Sequence, residues 1–316
     1  AGPLLAAAAE LAGGRWRGPV VVGGNADARD EAVTLLRDAG LPVAAADNVL
    51  PRIGVLAPES ARRAIRETFL AHVIGGKQLS ADPEFARMVR GATPDVVLTG
   101  VELLADAAGL PRGLVVVDVG GATTDVHSVV RMDAETAELR RDVVAVTPVT
   151  RTVEGDLGMR WSAAATARSA VEAGLADPAL VAEGERRTAD PGLLPGSDAD
   201  RRVDDRLATA AVTLAVRRHA GRATVVLSPE GRVVERSGVD LREVDLLVGS
   251  GGVLRAAGSN RAGRILAGAT GGSPDGWQQP RAPELLVDRH HVLAAVGLLA
   301  AERPGTAARL ARSLLA

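Results

Sequence analysis

Apolar positions in the first hundred residues alternate between strand-like runs and helical spacing. Residues 19–22 form a short apolar run ending in Gly23-Gly24-Asn25, and residues 27–39 then carry Ala28, Ala32, Leu35 and Leu36 at helical intervals. Gly40 stops that helix and residues 41–45 read as a second strand. Strand, helix and strand with short turns make a βαβ unit, which argues for a parallel sheet. Pro58 opens a further helix with Ala61, Ile65, Phe69, His72 and Val73 near one face. Proline suits a first turn, where its missing N–H has no partner to lose. The pattern also predicts a helix over 82–89, a strand over 95–98 and a helix over 101–108.

The run Leu114-Val115-Val116-Val117 has no polar face at all, as expected of a strand buried on both sides. Residues 126–131 and 143–149 read as the next two strands of an antiparallel meander, and residues 158–173 as a helix. Residues 176–202 are rich in Gly, Pro, Asp and Arg and read as a loop or disordered segment. A helix over 203–219 follows. Residues 223–227 and 232–236 flank Ser228-Pro229-Glu230-Gly231 as a β-hairpin. Residues 245–248 form a buried strand running into Gly249-Ser250-Gly251-Gly252. A loose stretch over 269–283 precedes helices over 289–301 and 306–315.

Composition removes several chemistries from this α/β chain. Its 316 residues suggest about two domains at roughly 100–200 residues each. The absence of cysteine excludes disulfides, thiol nucleophiles, CxxC pairs and cysteine-held zinc. Lys77 is the sole lysine; Gln78 follows it and Ala71 stands where a phosphate-binding P-loop needs its first glycine. A net charge of −2 and scarce aromatics give no basis for binding nucleic acid or an anionic membrane. No apolar run reaches the ~18 residues of a membrane span. The first residues, AGPLLAAAAELAGG, lack the basic region of a signal peptide, so a cytoplasmic protein is expected.

Two glycine segments carry candidate chemistry. In LVVVDVGGATTD, residues 114–125, a carboxylate sits at the mouth of a buried strand, followed by two glycines, two hydroxyls and a second carboxylate. Gly120 and Gly121 let successive N–H groups line up on an anion, and Thr123 and Thr124 add hydroxyl donors. Asp118 and Asp125 repel phosphate directly, and make sense with Mg²⁺ between carboxylates and phosphates. The alternative is a tight Asp-Gly-Gly hairpin turn with exposed threonines. The second segment, LLVGSGGVLR at 246–255, again runs a buried strand into glycine and then a helix. It is not a GxGxxG fingerprint, because Leu254 occupies the third glycine position. Arg255 has the planar guanidinium to lie on an aromatic base.

The order and spacing of these segments resemble the actin, Hsp70 and sugar-kinase ATPase superfamily. There DVGGATTD corresponds to the second phosphate motif and VGSGGVLR to the adenosine motif. DVGGATTDVHSV, TVEGDLGMRW at 152–161, AVRRHAGR at 215–222 and DRHHVLAAVGLL at 288–299 are further similar to the glutamate mutase accessory family, of MutL or GlmL type and unrelated to mismatch repair. GGNADARDE at 23–31, residues 48–74 and TPDVVLTGVELLA at 93–105 extend the similarity over about residues 20–299.

The resemblance implies an actin-like, ribonuclease H-like architecture. It also implies an ATP- and Mg²⁺-dependent factor that reactivates an adenosylcobalamin-dependent carbon-skeleton mutase, whose subunits would be its partners. Asp118 and Asp125 would be the catalytic and metal-holding pair. Gly120, Gly121, Thr123 and Thr124 would meet phosphates, and Gly251, Gly252 and Arg255 would border adenosine. A small-molecule kinase and a mutase-binding scaffold that does not hydrolyse ATP are the alternatives. The superfamily's earlier Asp-x-Gly-x-Thr phosphate motif has no match before residue 118. Together with the absent initiator methionine, this leads us to expect a fragment: a partial first lobe over 1–110 and a complete second lobe over 111–316.

Other conspicuous residues have plainer expectations. His127 is expected to be a partly exposed strand residue, and His290 and His291 to be capping or surface groups. Arg217, Arg218 and His219 suit a helix C-terminus. Trp161 is expected in the core, with Trp277 left open on its loop. Arg186, Arg187, Arg201 and Arg202 are expected to be solvated.

Overall fold

A computed structural model describes residues 2–52, 55–69, 71–72, 93–131, 149–228 and 231–315. In chain order they form α1 (Gly2–Gly13), β1 (Val20–Val22), α2 (Ala26–Asp38), β2 (Val43–Ala45) and α3 (Glu59–Phe69). Then come α4 (Thr93–Ala107), β3 (Gly113–Val119), β4 (Thr124–Val130), β5 (Val149–Glu154), α5 (Ala163–Glu172) and α6 (Ala179–Ala189). The long α7 (Asp198–Ala220) leads into the hairpin β6 (Ala223–Ser228) and β7 (Gly231–Arg236). Last are β8 (Leu246–Ser250), α8 (Gly252–Ala256), α9 (Ser259–Ala267), β9 (Glu284–Val287), α10 (Val292–Ala300) and α11 (Pro304–Arg312). These residues fall into two compact units, one drawn from residues 2–95 and the other from residues 96–315.

The first unit contains the expected βαβ arrangement. β1 and β2 pair in parallel, from Val20 opposite Val43 to Val22 opposite Ala45. Asn25 caps the intervening α2, its side-chain oxygen accepting from the N–H groups of Asp27 (2.9 Å) and Ala28 (3.3 Å). α2 buries Ala28, Ala32, Val33 and Leu36. Ala8 of α1, a helix the spacing did not predict, joins the same apolar cluster. α3 begins after Pro58 as expected but buries Ala61 and Ala64, while Ile65 and Phe69 are exposed. The expected helix over 82–89 and Lys77 lie outside the described residues.

The second unit is built on a five-stranded mixed sheet in the order β5-β4-β3-β8-β9. β4 runs antiparallel to both its neighbours, whereas β3, β8 and β9 pair in parallel. β3 is buried on both faces, as its unbroken apolar run requires. Val115, Val117 and Val119 join a cluster with α5, α7 and α9. Leu114 and Val116 turn the other way, into a cluster with α4, α10 and α11. Among the described residues, no helix is long and apolar enough to cross a membrane.

Several local expectations are corrected here. The strand expected over 95–98 is the first part of α4, whose Val101, Leu104 and Ala105 are buried at helical spacing. The third meander strand is β5, starting at Val149; residues 143–148 lie outside the described residues. The helix expected from Gly158 begins at Ala163.

The largest correction concerns 176–202, which holds α6 and the first turn of α7 instead of a loop. Charge pairing explains the order. Arg187 of α6, expected to be solvated, is only 1% exposed; its Nε donates to Asp204 Oδ1 of α7 at 2.7 Å and its Nη1 to Glu183 Oε2 at 2.8 Å. Arg160 donates to the other oxygen of Asp204 at 2.9 Å.

Candidate functional site

The parallel strands β3 and β8 end side by side, and the site lies where they stop. Asp118 of β3 sits between Asp125 of β4 and Ser250 of β8 in the strand register. Alternation places Asp118 on the face that carries Leu114 and Val116. Burial pushes the Asp118 carboxyl above its ordinary range; the Ser250 hydroxyl bonded to it and His291 oppose this, while Asp125 and Asp288 add to it. Asp125 has its own counterion: Arg151 of β5 donates to Asp125 Oδ1 from Nη2 (2.6 Å) and Nε (3.0 Å). Asp118 has no ion pair among the described residues.

The loop after β3 is fastened by its carbonyls. Gly120 O accepts from Met159 N (3.0 Å), Gly121 O from Arg160 N (2.8 Å), and Ala122 O from Ser162 Oγ (2.6 Å). Thr123 O accepts from Gly120 N at 2.9 Å. Meanwhile the N–H groups of Gly121, Ala122 and Thr123 have no acceptor among the described residues. Such a run of unused donors is open to an acceptor, and successive backbone N–H groups of this kind suit an anion.

Trp161, expected in the core, is 64% exposed, and its ring lies over Gly121. A Cβ on Gly121 would come within 2.7 Å of the ring atom Cζ3. Thr123 Oγ1 lies 3.4 Å from Asp125 Oδ2. Thr124 is turned into the core, its hydroxyl donating to Leu157 O at 2.9 Å, so that hydroxyl is not presented to a ligand.

The second glycine loop backs directly onto the first. Gly251 has φ of 101°, and a Cβ there would run into the Val119 carbonyl oxygen. A Cβ on Gly252 would meet nothing within 4 Å. Arg255 is tied to the turn before α10: its Nε donates to Arg289 O at 3.1 Å, and its Nη1 meets His291 Nε2. Arg289 returns a bond to Arg255 O at 3.1 Å. Asp288 caps α10, accepting from Val292 N (2.8 Å) and Leu293 N (3.0 Å).

Behind β4 and β5, Arg218 and His219 are held by polar partners. Arg218 of α7 donates twice to Asp156 (2.6 and 2.9 Å) and once to Glu154 (2.8 Å). This holds the Asp156 carboxyl below its ordinary range. His219 is buried between Ser128 Oγ (2.8 Å) and Thr152 Oγ1 (2.9 Å). His127, expected to be partly exposed, is 2% exposed, and its Nδ1 has no partner among the described residues.

These histidines set an acid limit on stability. Burial pushes both imidazoles down to about 4, against an ordinary 6.5. A depressed native value means that the unfolded chain takes up the proton first. Stability is therefore complete above the unfolded value and is lost as pH falls from about 6.5 toward 4, by about 3 kcal/mol per histidine. Urea unfolding between those pH values should show the decline, and His219→Gln should flatten part of it. A pH-independent midpoint would contradict the assignment.

The structure thus brings Asp118, Asp125, Gly120, Gly121, Thr123 and Gly251 to one end of the sheet. Reading from sequence missed Arg151, Ser250, Asp288, His291 and the exposed Trp161. Placing the third strand too early hid Arg151, since Arg151 faces His127 only in the true register. An acidic residue just before an apolar helix was an available signal for Asp288.

Comparison with known proteins adds the following. A family model described as MutL protein matches residues 2–315. "Protein MutL" of Clostridium tetanomorphum is 32% identical over 307 residues, covering 94% of this chain and 66% of that relative. The chain therefore spans just under two thirds of the length of the curated relative it matches.

Proposed function

Because the chain belongs to the MutL protein family, the glutamate mutase accessory family that its motifs resemble, we propose that it binds Mg·ATP and services an adenosylcobalamin-dependent mutase as a reactivating factor. The observation that carries this reading is the loop over 120–123: its carbonyls are taken up by the segment over 159–162, three successive N–H groups have no acceptor among the described residues, and beside it stands Asp118, which has no ion pair among them. Backbone donors of this kind suit phosphate oxygens. The sheet order, with one antiparallel strand second from its edge, supports the actin-like, ribonuclease H-like architecture.

In this reading the loop N–H groups hold phosphates, with Thr123 Oγ1 beside them. Asp118 is the residue best suited to hold Mg²⁺ through its waters, because its carboxyl is buried and has no ion pair among the described residues. Asp125, already paired with Arg151, orients that corner of the site. Magnesium would supply charge neutralisation at the phosphoryl oxygens. Gly251, Gly252 and Arg255 would border the adenosine, with Arg255 held in place by the Arg289–His291 turn.

Calorimetric titration with Mg·ATP, followed by phosphate release with and without a mutase carrying damaged cobalamin, tests the proposal. We expect saturable, magnesium-dependent binding and release that the mutase accelerates. Binding without release would favour a mutase-binding scaffold, acceleration by a small metabolite would favour a kinase, and absence of binding would end the nucleotide reading.

A further inference from the structure

A separate concavity of about 340 Å³ lies between α7 and α9, closed on one side by Leu175 and Ala176 after α5. Two contacts bracket it. At one end Arg261 of α9 donates twice to Asp205 of α7, at 3.1 and 2.6 Å. At the other the helices meet so closely that a Cβ on Gly268 would lie 2.8 Å from Thr213 Oγ1. The eight residue steps of α7 from Asp205 to Thr213 separate these contacts by about 12 Å, at 1.5 Å rise per residue.

The lining is chemically divided. Leu175, Ala210 and Ile265 supply apolar walls. Arg206, Arg261 and Arg264 line it as well, facing a single carboxylate, Asp205. Arg206 pairs outward with Asp177 and Arg261 with Asp205, whereas Arg264 has no ion pair among the described residues. Thr213 is only 2% exposed, and its hydroxyl has no hydrogen-bond partner among the described residues. A hydroxyl and a guanidinium that both line one apolar-walled cavity, neither held by another side chain among the described residues, leave polar groups for a ligand to engage.

We propose that this cavity binds a small carboxylate with an apolar body, its anionic head on Arg264 and its far end against Thr213. The volume lies within the range of small-molecule sites, and guanidinium groups recognise carboxylates through charge-assisted hydrogen bonds. This site is distinct from the proposed nucleotide site and requires no nucleotide.

The test uses the full chain without nucleotide, with octanoate as probe and octanamide as its uncharged counterpart, followed by ligand-observed NMR or calorimetry. Octanoate should bind saturably, octanamide at least about tenfold more weakly, and Arg264→Gln should cost octanoate about tenfold. Ala210→Leu, which fills the cavity, should abolish binding while the melting transition shows the variant still folded. If that variant does not fold, Thr213→Val and Arg264→Gln carry the test.

Equal binding of both probes, unchanged binding in the variants, or no saturation up to about 10 mM would overturn the assignment. So would preferential binding of an acidic peptide, which would make the cavity a protein-docking site. None of these results bears on Mg·ATP.

Discussion

Replacing Asp204 with alanine will lower the unfolding free energy by about 3–5 kcal/mol, the usual cost of stranding a buried charge. Asp204 is buried between two guanidinium groups, accepting from Arg187 Nε at 2.7 Å and Arg160 Nη2 at 2.9 Å. Arg187 is 1% exposed, so without Asp204 it keeps, among the described residues, only Glu183, itself partly exposed, and the Asp200 carbonyl as partners.

Asp204→Asn should cost less, because the amide keeps an acceptor while losing the charge. Arg186→Ala is the control: its pairs with Glu183 and Asp200 lie at the surface and the change should be nearly silent. Urea unfolding of the three variants decides the matter; a loss below about 1 kcal/mol for Asp204→Ala would sink the assignment. Because the Arg160 N–H also holds Gly121 O, the same variant should loosen the loop over 120–123.

The second large effect has opposite signs for stability and binding. Asp118→Asn should raise the melting temperature at neutral pH and weaken magnesium-dependent nucleotide binding by about 10–100-fold, as loss of a group that orients a metal usually does. Burial raises the Asp118 carboxyl above its ordinary value, so the native state holds the proton more tightly than the unfolded chain does. Above the unfolded value, the Asp118 carboxyl therefore opposes folding; that opposition fades as pH falls through its native value toward the unfolded one. Asparagine removes the charge and can keep a carbonyl toward the Ser250 hydroxyl. The stabilisation should be present at pH 7 and vanish in acid, with thermal melts at both as the measurement. A variant that is less stable at pH 7 yet binds Mg·ATP normally would contradict both the electrostatic account and the role of Asp118.

What could be read in advance followed from signals that are local in the chain. The apolar run over 114–117 admits little besides a strand covered on both faces, and the glycine loops announce themselves because few other residues turn a chain so sharply. The segment over 176–202 misled because its arginines and aspartates, counted singly, favour solvent. Arg187 and Asp204, however, satisfy one another only after two helices pack together. Trp161 misled for a related reason. Its size argues for the core, while its platform is a glycine some forty residues earlier, invisible until the loop is folded. Residues 95–98 show the ambiguity of a short apolar run, settled by the buried positions further along α4.

The two glycines that shape the candidate site should behave differently in suppressor genetics. At Gly121 the obstacle to a side chain is the ring of Trp161, so a smaller residue at 161 can make room and restore a damaged variant. At Gly251 the obstacle is the main-chain carbonyl of Val119, which every substitution at 119 retains. Lesions at Gly121 should therefore have second-site suppressors, and lesions at Gly251 should revert only at their own codon.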